Sequence, residues 1–123
     1  MGNVLLIEDD KDYRELLKIA LEKADYSVTE ASDGLKGCRM FQKGFHQLVI
    51  TDIFMPEKEG IETILEIKEL APEAKIIAIS GGGQTGAIDM LTFAEDLGAD
   101  AIMTKPIDLK NLISKVAELI GKD

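Results

Sequence analysis

The chain has 123 residues, of which 46% are hydrophobic and 30% are charged, a composition typical of one globular domain with a real core. Its 23 acidic residues outnumber its 14 basic residues and give a net charge of −9, which argues against direct binding to nucleic acid or to an anionic membrane. No apolar run approaches the roughly 18 residues of a membrane span. The single cysteine, Cys38, cannot form an internal disulfide, so we expect a cytoplasmic protein.

Apolar runs of strand length alternate with helix-like segments five times along the chain. The predicted strands lie at residues 3–7, 27–31, 47–51, 75–79 and 100–103, and the second is the weakest. Such alternation with short connections indicates parallel strands, right-handed crossovers and helices on both faces. We therefore predict one α/β domain over residues 1–123, a flavodoxin-like, doubly wound sheet of order 2-1-3-4-5 with five helices, and no effector domain in this chain.

The helices are predicted from caps and from apolar residues at helical spacing. Asp12 is the expected cap of the first helix, Ser32 or Asp33 of the second and Asp108 of the last, and the fourth is expected to begin near Thr85. The core-facing residues predicted in the first and third helices are Leu16, Leu17, Ala20, Leu21, Ala24, Ile61, Ile64, Leu65 and Ile67.

Chemically reactive residues stand where four of the five strands end. Asp52 closes the third strand, and Glu8 and Asp9 follow the first. Ser80 closes the fourth strand, and Lys105 closes the fifth. In an open parallel sheet, sites form outside the carboxyl ends of the strands. Because the first strand neighbours the third in the predicted order, we expect Glu8 and Asp9 to lie near Asp52.

Three carboxylates at one sheet edge repel each other strongly. At about 4 Å and an effective dielectric of about 20, each like-charge pair costs on the order of 4 kcal/mol. One lysine cannot offset all three charges, so either a carboxyl pKa rises or a cation binds. Carboxylate oxygens with few other ligands suit Mg²⁺, which prefers sites completed by a phosphate. A carboxylate beside a metal, a lysine and a hydroxyl is suited to phosphoryl transfer through an aspartyl phosphate.

The chain resembles, along its whole length, the receiver (CheY-like) domain of bacterial two-component response regulators. The residues that carry the resemblance are Glu8-Asp9, Asp52-x-x-Met55-Pro56-x-x-x-Gly60, Ser80 and Lys105-Pro106. The resemblance implies that Asp52 receives a phosphoryl group from a sensor histidine kinase or a histidine phosphotransfer protein. It implies a phosphorylation-controlled signalling module rather than an enzyme, with a downstream protein target at the fourth helix, fifth strand and fifth helix.

The resemblance also assigns roles to the site residues. It implies that Glu8, Asp9, Asp52 and the backbone carbonyl of Phe54 hold Mg²⁺. Ser80 and Lys105 are assigned to the phosphoryl oxygens, and the Lys105–Pro106 bond is often cis in the family.

Two departures from the family pattern affect the expected switch. Ile102 stands where the family often has an aromatic residue, and Gly81-Gly82-Gly83 follows Ser80 where most relatives carry larger residues. Both bear on the coupling between the hydroxyl and the aromatic residue and leave the phosphorylation chemistry untouched. We expect the loop from Gly81 to Gly86 to be mobile until Asp52 is phosphorylated.

Alternatives remain for the function and for single residues. A Mg²⁺-dependent phosphohydrolase acting through an aspartyl phosphate would share the site, although Phe54 stands where such enzymes usually carry a second acid. A binding module that keeps the fold without phosphorylation is a third possibility. Asp10 is expected to begin a helix rather than to serve as a further metal ligand. His46, the only histidine, is expected to be an ordinary loop residue, and Cys38 to be partly buried.

Overall fold

The computed structural model describes residues 2–53, 60–81, 92 and 94–121. Strands and helices alternate within these residues. The strands are β1 (Asn3–Ile7), β2 (Ser27–Ala31), β3 (Leu48–Asp52), β4 (Lys75–Gly81) and β5 (Ala101–Lys105). The helices are α1 (Lys11–Lys23), α2 (Gly34–Met40), α3 (Gly60–Leu70), the helical residues 92 and 94–96, labelled α4, and α5 (Leu109–Ile120).

The five strands form one parallel sheet in the order β2-β1-β3-β4-β5, which confirms the predicted topology. All five residues of β3 are buried because this strand lies in the centre of the sheet. The weakly predicted second strand lies at an edge, where only its last residue, Ala31, is fully buried. Among the described helices, none has both the length and the apolar character that crossing a membrane requires.

The core has two layers, one on each face of the sheet, because successive strand residues point to opposite faces. Leu5 and Val49 pack on the side of α3, together with Ile64 and Ile67. Val4, Leu6 and Ile50 pack on the other side with residues of α1 and α5, namely Leu17, Leu21, Leu112 and Val116. Helices on both faces therefore cover the sheet and leave the carboxyl ends of the strands open for a site.

Aspartates begin three of the helices. Asp33 Oδ1 accepts a hydrogen bond from the Lys36 amide, and Asp108 caps α5 as predicted. The predicted capping role of Asp12 is wrong, because α1 begins at Lys11 and Asp10 is its cap. Asp10 has an extended backbone, and its carboxylate accepts from the amides of Asp12 and Tyr13.

Two predicted core residues face outward instead. Leu16 is 45% exposed and Leu65 is 48% exposed, whereas Leu17 and Ile64, one position away on each helix, are fully buried. Consecutive helix residues lie about 100° apart, so a narrow buried stripe accepts only one of two adjacent leucines or isoleucines. The predicted start of the fourth helix near Thr85 lies outside the described residues.

His46 lies in a loop, as expected, but it is a buried structural residue rather than an ordinary one. It is 3% exposed, its Nδ1 accepts the Gln42 amide at 3.0 Å, and its Nε2 lies 3.1 Å from Thr29 Oγ1. Its ring stacks on Phe41 and meets Phe45 edge to face. Burial lowers the pKa of His46, so the neutral form that accepts the Gln42 amide is favoured. Cys38 is partly buried, as predicted.

Candidate functional site

The sheet brings the three predicted carboxylates together. β1 and β3 are paired, with Ile7 opposite Thr51, so Glu8 leaves β1 beside Asp52 at the end of β3. Glu8, Asp9 and Asp52 each offer one carboxylate oxygen, and these atoms lie within 4.8 Å of one another. Glu8 and Asp52 are buried, while Asp9 is exposed. The group is therefore closed on the protein side and open to solvent through Asp9.

Lys105 supplies the positive charge at this edge. It ends β5, where its backbone pairs with Gly81 of β4. Its Nζ lies 2.9 Å from Asp52 Oδ2, to which it donates a hydrogen bond, and 2.7 Å from Glu8 Oε1. Glu8 Oε1 accepts no well-aligned hydrogen bond within the described part of the chain, so the shorter contact is an ion pair held by charge. One ammonium thus joins the two buried carboxylates.

Burial and neighbouring charges shift the pKa values of Glu8 and Lys105. Burial raises the pKa of Glu8 from 4.5 to about 7, and the Asp52 charge adds to the rise. The Lys105 ammonium and the Asp10 amide, which donates to Glu8 Oε2 at 3.0 Å, act in the opposite direction without cancelling it. Burial alone would lower the pKa of Lys105, but its pairing with Glu8 and Asp52 outweighs burial and raises it. Because three acidic residues share one ammonium, negative charge is in excess at the site.

Ser80 places a buried hydroxyl near the same edge of the sheet. It lies in β4, beside the strand that ends in Asp52, and its side chain is fully buried. Its Oγ has no hydrogen-bond partner among the described residues. A buried hydroxyl without a partner costs free energy, so such groups in native proteins usually await a ligand or a water molecule.

Hydrogen bonds to residues of α1 hold the turn that follows β1. The Asp10 carboxylate caps the helix, as expected for a residue that begins a helix, and it is not among the clustered acids. Arg14 Nη1 donates to the Glu8 carbonyl at 2.7 Å, and Arg14 Nε pairs with Glu30 of β2 at 3.3 Å. These contacts hold the backbone from which Glu8 and Asp9 project.

Gly60 has a steric reason for its place eight residues after Asp52. A Cβ at this position would overlap the Asp52 carbonyl oxygen and lie 2.6 Å from Ile53 Cα. The Gly60 amide donates to the Ile53 carbonyl at 2.9 Å. The start of α3 therefore packs directly against the end of β3, which only glycine allows.

Other expectations concern the surroundings of the site. The Lys105–Pro106 bond is cis, as predicted. Ile102, at the position where the resemblance leads us to expect an aromatic residue, is 36% exposed. The backbone carbonyl of Phe54, the residues Met55 and Pro56, and the loop beyond Gly81 lie outside the described residues.

Sequence reasoning missed Tyr13 as a residue of the site. The Lys105 Nζ lies 4.6 Å from the centroid of the Tyr13 ring, and the Tyr13 hydroxyl accepts the Ile107 amide at 2.9 Å. The sequence shows Tyr13 only as a residue in the first turn of a helix, and no spacing relates it to a lysine 92 positions later. Only the packing of α1 against the end of β5 brings the two together.

Comparisons with known proteins agree with this arrangement. Residues 4–117 match the model of the response regulator receiver domain. The chain is 36% identical over 121 residues to the response regulator receiver protein CpdR of Brucella abortus, covering 98% of each protein. It is 32% identical to the transcriptional regulatory protein DltR of Streptococcus agalactiae over 92% of this chain but spans only 49% of that protein.

A solved structure agrees at the level of the fold. The receiver domain protein from Clostridium thermocellum superposes with a TM-score of 0.91 at 28% identity, over 98% of this chain and 94% of that one. The phosphohydrolase alternative is not favoured by these matches. The family match over nearly the whole chain, together with the acidic group and lysine at the carboxyl edge of the sheet, places this chain in the family of response regulator receiver domains.

Proposed function

We propose that the chain is a phosphoacceptor signalling module in which Asp52 receives a phosphoryl group from a histidine kinase or a histidine phosphotransfer protein. The observation that carries the proposal is the contact of Lys105 with a buried Asp52 inside a group of three acids. A nucleophilic carboxylate must be held in place, and positive charge must stand where the oxygens of the phosphoryl group arrive.

The transfer itself needs little from the protein beyond positioning. An Asp52 carboxylate oxygen attacks phosphorus, the phosphorus–nitrogen bond to the donor histidine breaks, and its electron pair stays on the imidazole nitrogen, which takes up a proton. Lys105 then turns from the carboxylate to a phosphoryl oxygen. The buried Ser80 hydroxyl donates the hydrogen bond that it lacks among the described residues.

The donor set fits Mg²⁺. Glu8, Asp9 and Asp52 offer three hard oxygen ligands within 4.8 Å of one another, and the excess negative charge favours a divalent cation. In our proposal the Phe54 carbonyl completes the protein ligands. The ion, when bound, neutralises charge on the transferring oxygens. Glu8 and Asp9 then hold the cation, and Arg14 and the Asp10 cap hold the turn that carries them.

The output is a change in protein–protein contacts. We propose that residues 1–123 act as one receiver domain in the cytoplasm and that the downstream protein binds at α4, β5 and α5. The match to part of a longer regulator such as DltR supports a receiver role that can serve different outputs.

The test is phosphorylation of Asp52 by small donors. We expect acetyl phosphate, or phosphoramidate with its phosphorus–nitrogen bond, to add one phosphate to the intact mass in the presence of Mg²⁺. Asp52→Asn should abolish the addition. Asp25→Asn is the matched control, because Asp25 has a φ of 70°, a conformation that asparagine tolerates, and lies in the turn after α1. An unchanged phosphorylated fraction in Asp52→Asn would refute the assignment, and sustained release of phosphate from small esters would favour a phosphohydrolase.

A further inference from the structure

The aromatic ring of Tyr13 covers one side of the Lys105 ammonium. The Nζ lies 4.6 Å from the ring centroid, within the distance at which a cation is attracted to the face of a tyrosine. Glu8 Oε1 and Asp52 Oδ2 contact the same Nζ at 2.7 and 2.9 Å. The ammonium therefore has three fixed neighbours, two anionic and one aromatic.

Both ends of the Tyr13 residue are themselves fixed. Its amide donates to Asp10 Oδ1 at 3.1 Å within the cap of α1. Its hydroxyl accepts the Ile107 amide at 2.9 Å, two residues beyond Lys105. The ring is thus held between the start of α1 and the segment that leads from β5 into α5, with Lys105 beneath it.

We propose that Tyr13 is a positioning residue whose ring holds the Lys105 ammonium against Glu8 and Asp52, while its hydroxyl fixes the backbone that follows Lys105. The proposal rests on the proposed phosphoacceptor function. A lysine side chain is a flexible four-carbon stem with a strongly hydrated head, so it needs neighbours to keep its charge in one place. The side chain of Lys105 is 22% exposed, which leaves water as the competitor for the ammonium.

The ring and the hydroxyl make separable contributions. Tyr13→Phe keeps the ring over the ammonium and removes the bond to Ile107. Tyr13→Leu removes both. Tyr26→Phe is a matched control, because the Tyr26 hydroxyl also forms one hydrogen bond with the backbone, in which it donates to the Gly121 carbonyl at 2.8 Å. Tyr26 lies just before β2, at the amino-terminal edge of the sheet and away from the site.

Two measurements test the proposal. The first is the rate of phosphorylation by phosphoramidate at saturating Mg²⁺, with the Mg²⁺ affinity measured separately. We expect Tyr13→Leu to lower the rate about two- to tenfold, in line with the strength of cation–π contacts, with Mg²⁺ affinity unchanged within about twofold. Tyr13→Phe should keep most of the rate, and Tyr26→Phe should match the wild type.

The second measurement does not depend on phosphorylation. The Lys105 Cε protons should resonate upfield in the wild type and in Tyr13→Phe, because the ring shields them, and should move downfield in Tyr13→Leu. If no variant moves these resonances, or if the rate falls equally in all three variants, the positioning role is wrong. If the wild type takes up no phosphate but the resonances shift as expected, the proposed function fails while the ring still holds the ammonium.

Discussion

Neutralising Glu8 should stabilise the metal-free protein. Glu8 is fully buried, and its pKa rises from 4.5 to about 7 because burial disfavours its charged form. Between these two pH values, the folded state keeps a proton that the unfolded chain has released. Stability therefore falls as the pH rises through this window and levels off above about 7. Glu8→Gln keeps the shape of the protonated side chain and removes the titration.

The magnitude follows from the same two values. The difference between 7 and 4.5, at about 1.4 kcal/mol for each pKa unit, corresponds to roughly 3 kcal/mol of unfolding free energy at pH 8. The pairing with Lys105 is already included, because it is one of the interactions that set the pKa. We expect Glu8→Gln to be more stable than the wild type by up to about 3 kcal/mol at pH 8, and by much less at pH 5.

Urea unfolding with EDTA at pH 8 and pH 5 measures both differences. Glu22→Gln, on the exposed face of α1, is the matched control and should change little. Added Mg²⁺ should stabilise the wild type more than Glu8→Gln, because the ion is proposed to bind the carboxylate. A Glu8→Gln protein that is no more stable than the wild type at pH 8 would refute the reasoning that burial of this charge is costly.

Three further outcomes are expected. Asp9→Ala should weaken Mg²⁺ binding about tenfold or more, because it removes a proposed ligand. Lys105→Ala should spare Mg²⁺ binding, because it removes a cation from the site. Equal Mg²⁺ affinities of the wild type and Asp9→Ala in a titration would contradict this prediction. His46 has a lowered pKa, so its contribution to stability is present above about pH 6.5 and lost as the pH falls below it. Urea unfolding at pH 7.5 and 5.5 should show a smaller loss in His46→Gln than in the wild type, and equal losses would count against it. Amide exchange should slow at residues 81–90 on adding beryllofluoride, a phosphoryl mimic, if phosphorylation of Asp52 orders the loop from Gly81 to Gly86. No response there would contradict that expectation.

The fold could be predicted from the sequence because the spacing of apolar residues and the order of the predicted strands and helices determine it. Five apolar runs separated by helical segments leave few arrangements other than a parallel sheet, and the acids at strand ends then have to meet. The wrong predictions concern single residues. Asp10 and Asp12 both suit the start of a helix, and Leu16 and Leu17 are equally apolar. In each pair, only the packing of the folded chain decides which residue caps the helix or enters the core.

The sequence also could not predict several side-chain contacts around the site and in the core, because packing determines them. The contact of Tyr13 with Lys105 and that of Arg14 with the Glu8 carbonyl depend on how α1 packs on the sheet. The burial of His46 depends on Thr29 in β2 and on two phenylalanines close to it in sequence. These contacts depend on how the helices, strands and loops pack, so no periodicity or motif in the sequence predicts them.

The site at the carboxyl edge of the sheet brings together residues that are far apart in sequence. Glu8 and Lys105 are 97 positions apart, and Asp52 lies between them in the sequence. A chain that has not yet placed β5 beside β4 lacks the Lys105 ammonium beside Asp52, the proposed nucleophile. If the proposed function is right, the ability to accept a phosphoryl group depends on the pairing of β5, the last strand in the sequence, with β4. A destabilising substitution anywhere in the core would lower the number of chains that can respond, without touching the chemistry of those that do. The signalling capacity of a cell would then track the folded fraction of this protein.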